Sequence, residues 1–261
     1  MDIIICIKQV PETTQEIKID PKTNTLIREG VKSIINPFDM YAIEESVRLK
    51  EKYSGKVTVI TMGPPQAEGA LREAVSLGCD EAILITDKTF AGSDTFVTSY
   101  VLACAIQKLK SYELIICGKQ ASDGDTAQVG PGISAHLDIP QVTYVKKIEE
   151  IRNRIARFQR MTEEGYEIIE VPLPALITVV KEINEPRLPS LKGLIKARQI
   201  NITRWTHKDL NLSPEEIGLK GSPTQVIKIF TPSRRPSGQI FQGEVSQVVE
   251  KLVEVLKEEL V

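Results

Sequence analysis

The sequence predicts an α/β fold: a parallel sheet with helices on both faces, a strand-rich extension and a C-terminal arm. Three observations predict it. Short apolar runs alternate with amphipathic stretches through the first half, four strand-like segments follow His136, and a last amphipathic helix hangs from Pro- and Gly-rich connections. At 261 residues, 41% of them hydrophobic, the chain can bury a sizeable core.

Each element has a local reason. Ile3 to Ile7 reads as a first strand buried on both faces. Asn36-Pro37-Phe38-Asp39 reads as a helix entry, because Ala42, Ile43, Val47 and Leu49 recur at helical spacing behind it. VTVITMG (57–63) is a second strand, followed by Pro64-Pro65 and a helix from Gln66 to Leu77. EAILIT (81–86) is a third strand, and Asp94 is placed to cap the helix that runs through Tyr100, Val101 and Leu109. ELIICG (113–118) is a fourth. Strand and helix in this alternation imply parallel pairing with crossovers. VTYVKKIEEI, NRIARFQRM, YEIIEV and ALITVV then read as strands, with turns at Arg152-Asn153 and Glu164-Gly165. KEINEPRLPSLKGLIKARQ (181–199) reads as a loop, having two prolines, a glycine and several basic groups. After the turn-rich SPTQVIKIFTPSRRPSGQIFQG, a final helix from Gly243 to Glu259 puts Val245, Val248, Val249, Leu252 and Leu256 on one side. Such a segment needs an apolar partner elsewhere.

Composition excludes several classes. A net charge of −2 offers no global field for nucleic acid or an anionic membrane. No run reaches the roughly 18 apolar residues of a membrane span. MDIIICIKQV, with an acid at position 2, reads as strand and not as a signal peptide. Cys6, Cys79, Cys104 and Cys117 lack C-x-x-C spacing and are expected as buried free thiols, which places the protein in the cytoplasm. His136 and His207 do not resemble a metal site, and no Ser-His-Asp set or catalytic dyad is found.

The most informative stretch is CGKQASDGDTAQVGPGISAHL (117–137), where the fourth strand hands over to a helix. In open α/β sheets ligands sit beyond the carboxyl ends of strands, where amides at a helix start meet an anion. Asp125 or Thr126 can cap this helix, Gly130 allows close backbone approach, and Pro131 suits the first turn. Gly130-x-Gly132-x-x-Ala135 matches the dinucleotide pattern, though a dozen residues past the strand end. There is no P-loop. Asp123 and Asp125 would repel a pyrophosphate unless they cap the helix or face ribose hydroxyls. A solvated turn and a nucleotide seat are both open on local chemistry. KQVP (8–11), MGPPQ (62–66) and FAGSDTFVTSY (90–100) bring small and hydroxyl residues to the same edge, which favours the nucleotide.

Taken together, C-I-K-Q-V at the start, GVKSIINPFD (30–39), EESVRLKEK (44–52), GKQASD (118–123), EEGYEIIEVPLPALITV (163–179) and NEPRLPSLKGLIKAR (184–198) resemble the β subunits of electron transfer flavoproteins over nearly the whole chain. The resemblance implies an adenine-nucleotide α-hydrolase-like fold. It implies a heterodimer with a homologous α subunit carrying FAD, and no catalytic residue or metal of the chain's own. It divides the chain into a nucleotide- or FAD-binding domain with its strand-rich extension (1–183), a partner-docking loop (184–199) and an arm wrapping the α subunit (200–261). Carried over by position, the nucleotide site comprises Cys6, Asn36, Pro37, Phe38, Asp39, Met62, Gly124, Asp125, Thr126, Ala127, Gln128, Val129, Gly130, Pro131, Gly132, Ile133, Ser134 and Ala135. Cys6 and Met62 also read as plain core. Leu191 stands where the family anchors a docked dehydrogenase, and also reads as a residue packed against the arm.

Two departures refine the resemblance. AMP-binding members have Cys-Asn-Gln-Thr-Gly after an acid-rich loop, and a cysteine after the phenylalanine of the Asn-Pro-Phe motif. This chain has Gly124-Asp125-Thr126-Ala127-Gln128-Val129-Gly130-Pro131, and Asn-Pro-Phe-Asp-x-Tyr. Both are similar to the flavin-bifurcating branch, where a second FAD occupies the AMP position and NADH is the electron donor. Asp94, Thr95 and Thr98 resemble that branch's residues near the flavin ring and the nicotinamide. The partners then implied are ferredoxin and a flavin dehydrogenase acting on an acyl-CoA or a hydroxy acid. A structural AMP is the alternative occupant.

Overall fold

A computed structural model describes residues 1–12, 33–227 and 238–259. Gly30 to Lys32 of the GVKSIINPFD motif and 228–237 of the turn-rich tail lie outside the described residues. Two compact units are present, 1–227 and 228–261.

The first unit is built on a nine-stranded sheet. Its strands are β1 (Ile3–Cys6), β4 (Val57–Met62), β5 (Glu81–Ile85), β6 (Leu114–Gly118), β7 (Gln141–Arg152), β8 (Ile155–Met161), β9 (Tyr166–Pro172), β10 (Ala175–Val179) and β11 (Thr203–Trp205), in the order β11-β5-β4-β1-β6-β10-β7-β8-β9. Pairing is parallel from β11 through β7 and antiparallel across β7, β8 and β9. A two-stranded antiparallel ribbon, β2 (Gln9–Pro11) with β3 (Ser33–Ile35), stands apart. The predicted parallel sheet and its strand-rich extension are both present.

Side chains alternate across the sheet because the strand period is two. Ile3 and Ile5 of β1 pack into one layer with α1 (Pro37–Tyr53) and α2 (Glu68–Leu77). Ile4 and Cys6 pack into the other with α3 (Thr95–Leu109) and α4 (Val129–Leu137). All of β1 is buried, as a central strand with two covered faces must be. The chain runs from β1 through β4 to β5 on one side, then returns to β6 on the other side of β1. That reversal creates a switch point at the carboxyl ends of β1 and β6, the place where open α/β sheets hold ligands.

Two expectations are corrected here. The segment 181–199 is not all loop: Leu191–Gln199 forms α5, capped by the Ser190 hydroxyl, which accepts from the Gly193 N–H at 3.0 Å. The prolines and Gly193 hid it. A Cβ on Gly193 would lie 2.1 Å from the Ser76 carbonyl oxygen, so α5 rests directly on the α2 backbone. Residues 200–227, grouped by sequence with the arm, also belong to the body. There β11 pairs with β5, and Leu210, Leu212 and Ile217 are buried in the α3-side core. The short α6 (Gly218–Gly221) closes this stretch. Cys6, Cys79 and Cys117 are buried free thiols as expected, but Cys104 is only half-buried.

In the second unit, α7 (Val245–Glu259) is the predicted amphipathic helix, with Val249, Leu252, Val253 and Leu256 exposed. Among the described residues no helix is long and apolar enough to cross a membrane.

Gly193→Ala should overpack the α2–α5 contact and lower the urea unfolding free energy by ~1–3 kcal/mol, measured by equilibrium denaturation.

Candidate functional site

The carboxyl ends of β1 and β6 are tied together by buried polar groups at the start of α1. Pro37 occupies the first helical position, and Asn36 stands at the N-cap without donating or accepting a side-chain capping bond. Its carboxamide is used elsewhere. Nδ2 donates to Asp39 Oδ1 at 3.0 Å and to the Gln120 carbonyl at 2.8 Å, while Oδ1 accepts from the Ser122 N–H at 3.0 Å. Asp39 in turn accepts from the Lys8 N–H at 2.7 Å and from the Gly118 N–H. The backbone comes so close that a Cβ on Gly118 would lie 2.3 Å from Asp39 Oδ1. Burial pushes the Asp39 carboxyl up to about 7, and the donors from Lys8, Asn36 and Gly118 oppose that shift without cancelling it.

The loop beyond Gly118 is shaped by its own residues. Gly124 and Asp125 donate backbone N–H groups to the Ala121 carbonyl, and Asp125 and Ala127 take left-handed backbone angles at φ 53° and 55°. Both carboxylates are engaged: Asp123 receives the Lys8 ammonium at 2.6 Å, and Asp125 accepts from the Gln120 amide. The Lys8 ammonium offsets the Asp123 charge, whereas the neutral Gln120 amide orients Asp125 without cancelling its charge. The expected cap by Asp125 or Thr126 is not formed. The N-cap of α4 is Gln128, without a side-chain capping bond, so the first amides of the helix have no side-chain acceptor from the cap. Pro131 lies in the first turn as expected. Gly130 does allow a close approach, but to Thr178 of β10, whose Cγ2 would lie 2.7 Å from an added Cβ.

Other predicted residues sort by position. Cys6 ends β1 in register with Cys117 of β6, and a hydrogen bond between the two thiols together with burial raises Cys6 well above the usual thiol range. Met62 ends β4, half-buried against the α3-side core. Phe38 packs beneath Lys119, whose ammonium lies between the Phe38 and Tyr144 rings, 5.9 and 5.0 Å from their centroids. Gly124, Asp125, Thr126 and Gln128 are exposed, Ala127 and Val129 partly so. Farther along α4, Ile133 is core and the Ser134 hydroxyl donates to the Ile139 carbonyl at 2.6 Å; Ala135 is exposed and Gly132 packs against Ser99.

Asp94 caps α3 as expected, accepting from the Val97 N–H at 3.0 Å. Its other oxygen accepts from the Thr224 N–H and hydroxyl at 3.0 and 2.8 Å. Burial would raise this carboxyl, but the Val97 and Thr224 donors hold it below the usual range. Thr95 donates its hydroxyl to Gln128 Oε1 at 3.1 Å, joining the starts of α3 and α4, and Thr98 follows one turn on. The chemistry of this edge fits a phosphate-bearing ligand: uncapped helix amides, hydroxyls and hydrogen-bonded acids surround the switch point. Sequence reasoning passed over Lys8, Gln120 and Ser122 as members of the site. The short strand-end motif KQVP was the available signal for the first. Thr224 had none, being 130 residues from Asp94.

Leu191, at the first position of α5, is 76% exposed. The segment before it is clamped to α1: Arg187 bridges Glu44 at 2.8 Å and Glu51 at 2.6 Å, and Asn184 donates to the Tyr41 carbonyl and to Glu45. His207, which has no partner in sequence terms, pairs through Nδ1 with Asp87 at 2.7 Å.

Because the Asp39 carboxyl stands near 7 when folded and 3.8 is its ordinary value, the folded chain holds a proton across that window that the unfolded chain lacks. Stability from this group is therefore full below the ordinary value and lost as pH rises through about 7. Asp39→Asn should flatten that part of the stability–pH profile, measured by urea midpoints from pH 4 to 8; an unchanged slope would show that the carboxyl is ionised throughout.

Comparison with known proteins places this chain in a family. Residues 23–210 match the family described as Electron transfer flavoprotein domain. The chain is 53% identical over 257 residues to the electron transfer flavoprotein subunit beta of Thermoanaerobacterium thermosaccharolyticum, covering 98% of each chain. It is 50% identical to the caffeyl-CoA reductase-Etf complex subunit CarD of Acetobacterium woodii, over 99% of this chain and 98% of that one. Protein FixA of Azotobacter vinelandii is 46% identical over 90% of this chain and 85% of its own. The chain belongs to the electron transfer flavoprotein family, among its β subunits.

Proposed function

We propose that this chain pairs with a homologous, FAD-carrying α subunit and binds a second FAD at the β1–β6 switch point. In this reading the complex accepts electrons from NADH. It passes them singly to ferredoxin and, by way of the α-subunit FAD, to a dehydrogenase acting on an acyl-CoA or a hydroxy acid. The observation that carries the reading is the arrival of Thr126–Gly130 at a helix start whose amides have no capping side chain and whose neighbouring acids are already engaged. A dinucleotide's diphosphate suits those amides.

When bound, the flavin supplies the conversion between two-electron and one-electron chemistry. The chain's own groups hold and orient it. Lys8 offsets the Asp123 charge, Gln120 orients the Asp125 side chain, and the Thr95–Gln128 bond fixes α3 against the loop. For a one-electron couple ~59 mV is a tenfold change in equilibrium, so polar groups at such a site are sufficient to direct flow. The Acetobacterium relative is named for a caffeyl-CoA reductase-Etf complex, which favours a CoA-ester partner for this chain as well. The exposed Leu191, on a helix clamped at its root, suits the anchor for that partner.

The co-expressed α/β complex is expected to yield two FAD per heterodimer on extraction and to bleach with NADH. One FAD and one AMP without an NADH response would instead identify a structural nucleotide. Thr126→Asp should empty the β-site flavin while sparing the other, read as FAD per heterodimer; full occupancy would move the diphosphate elsewhere. Leu191→Ala should slow transfer to the dehydrogenase on the order of tenfold at unchanged flavin content, measured by coupled reduction under subsaturating partner.

A further inference from the structure

We propose that the Lys119 ammonium meets the phosphate of the nucleotide at the β1–β6 switch point, and that the rings of Phe38 and Tyr144 hold it for that task. The inference rests on the phosphate seat proposed above and assigns that seat a cation. Charge balance calls for one. Asp123 occupies the Lys8 ammonium, and the exposed Asp125 keeps its charge because Gln120 is a neutral donor. A diphosphate brings further negative charge, to which helix amides oppose only partial positive charge. Lys119 is the first residue of the loop and is half-buried. Its ammonium has two ring contacts and, among the described residues, no carboxylate partner. Ring faces attract a cation without neutralising it, so its full charge stays available to an anion.

The backbone around Lys119 is arranged to aim it. Its N–H donates to the Val179 carbonyl at 2.9 Å, which fastens the loop's first residue to the end of β10. Tyr144, whose ring centroid lies 5.0 Å from the ammonium, has φ 58°, a left-handed angle that a bulky residue keeps only under constraint. The constraint is a break in the β7–β10 ladder between Ile177 and Val179, where the Tyr144 N–H turns to the Thr178 hydroxyl at 3.1 Å. Ladder irregularities re-aim side chains, and this one brings the ring to Lys119. Thr178 also backs the first turn of α4, since a Cβ on Gly130 would lie 2.7 Å from its Cγ2. The ring that holds the lysine is thus built on the same buried threonine that supports the amides of the seat. A lysine stem is flexible, and two rings order it before any ligand arrives.

The test uses the complex of the full-length chain with its α subunit, this chain's site first emptied by dialysis, with ADP and adenosine as probes. Lys119→Gln is expected to weaken ADP binding about tenfold and to leave adenosine within about twofold, with a shallower salt dependence for ADP; Lys119→Arg should keep the preference for ADP. Equal weakening of both probes would make Lys119 a general support of the site, overturning the proposal and leaving the seat intact. Neither probe weakened, with the unaltered complex still preferring ADP, would mean that amides alone meet the phosphates; the proposal would fall and the functional reading would stand. If the unaltered complex binds ADP no more tightly than adenosine, there is no phosphate seat, and both fall together. Should Lys119→Gln not fold, Tyr144→Asn removes the ring with a residue that tolerates the left-handed angle. It is expected to weaken ADP about threefold and to spare adenosine, and an unchanged ADP affinity would overturn the proposal.

Discussion

A single buried polar junction organises this molecule. Where β1 and β6 end side by side, each strand leaves an amide pointing out of the sheet, and the Asp39 carboxylate takes up both, those of Lys8 and Gly118. Burying a carboxyl is costly unless donors surround it, and here they come from three different segments of chain. The ends of two adjacent strands, the start of α1 and the entry of the 119–128 loop therefore cannot be displaced independently. Everything that converges on the switch point inherits its position from that knot.

Electrostatics around the knot explains an otherwise awkward sequence. A loop with Asp123 and Asp125 looks hostile to phosphate, yet Asp123 is paired with the distant Lys8 and Asp125 accepts from Gln120 within the loop. The acids serve to shape the loop. Asp125 itself stays exposed, beside Gly124, Thr126 and Gln128. Asp94 shows the same economy at the next helix, one oxygen capping α3 and the other holding the Thr224 segment.

Much of this was legible in the sequence, for reasons that can be named. Short continuous apolar runs and the β-α alternation give β1, β4, β5 and β6, and the Arg152-Asn153 turn marks the β7–β8 hairpin, where Asn153 and Arg154 both take positive φ. The insertion of β10 between β6 and β7 was not legible, because no local pattern specifies a partner 30 or more residues away. Nor was α5, whose Gly193 looked like a breaker and is instead the contact point with α2. At the candidate site, residue types pointed to the carboxyl ends of β1 and β6. The division of labour among them depends on pairs such as Asn36 with Ser122 and Lys8 with Asp123, separated by 86 and 115 residues.

The clamp formed by Arg187 has a mechanical consequence. Its two carboxylate partners, Glu44 and Glu51, belong to the same 17-residue helix whose first turn carries Asp39. At 1.5 Å per residue that helix is a rod of about 25 Å. Leu191 and the switch point are thus fastened to one stiff spacer and not to independently moving parts. A protein settling on the leucine would stand from the switch point at a span set by the helix, whichever partner it happened to be.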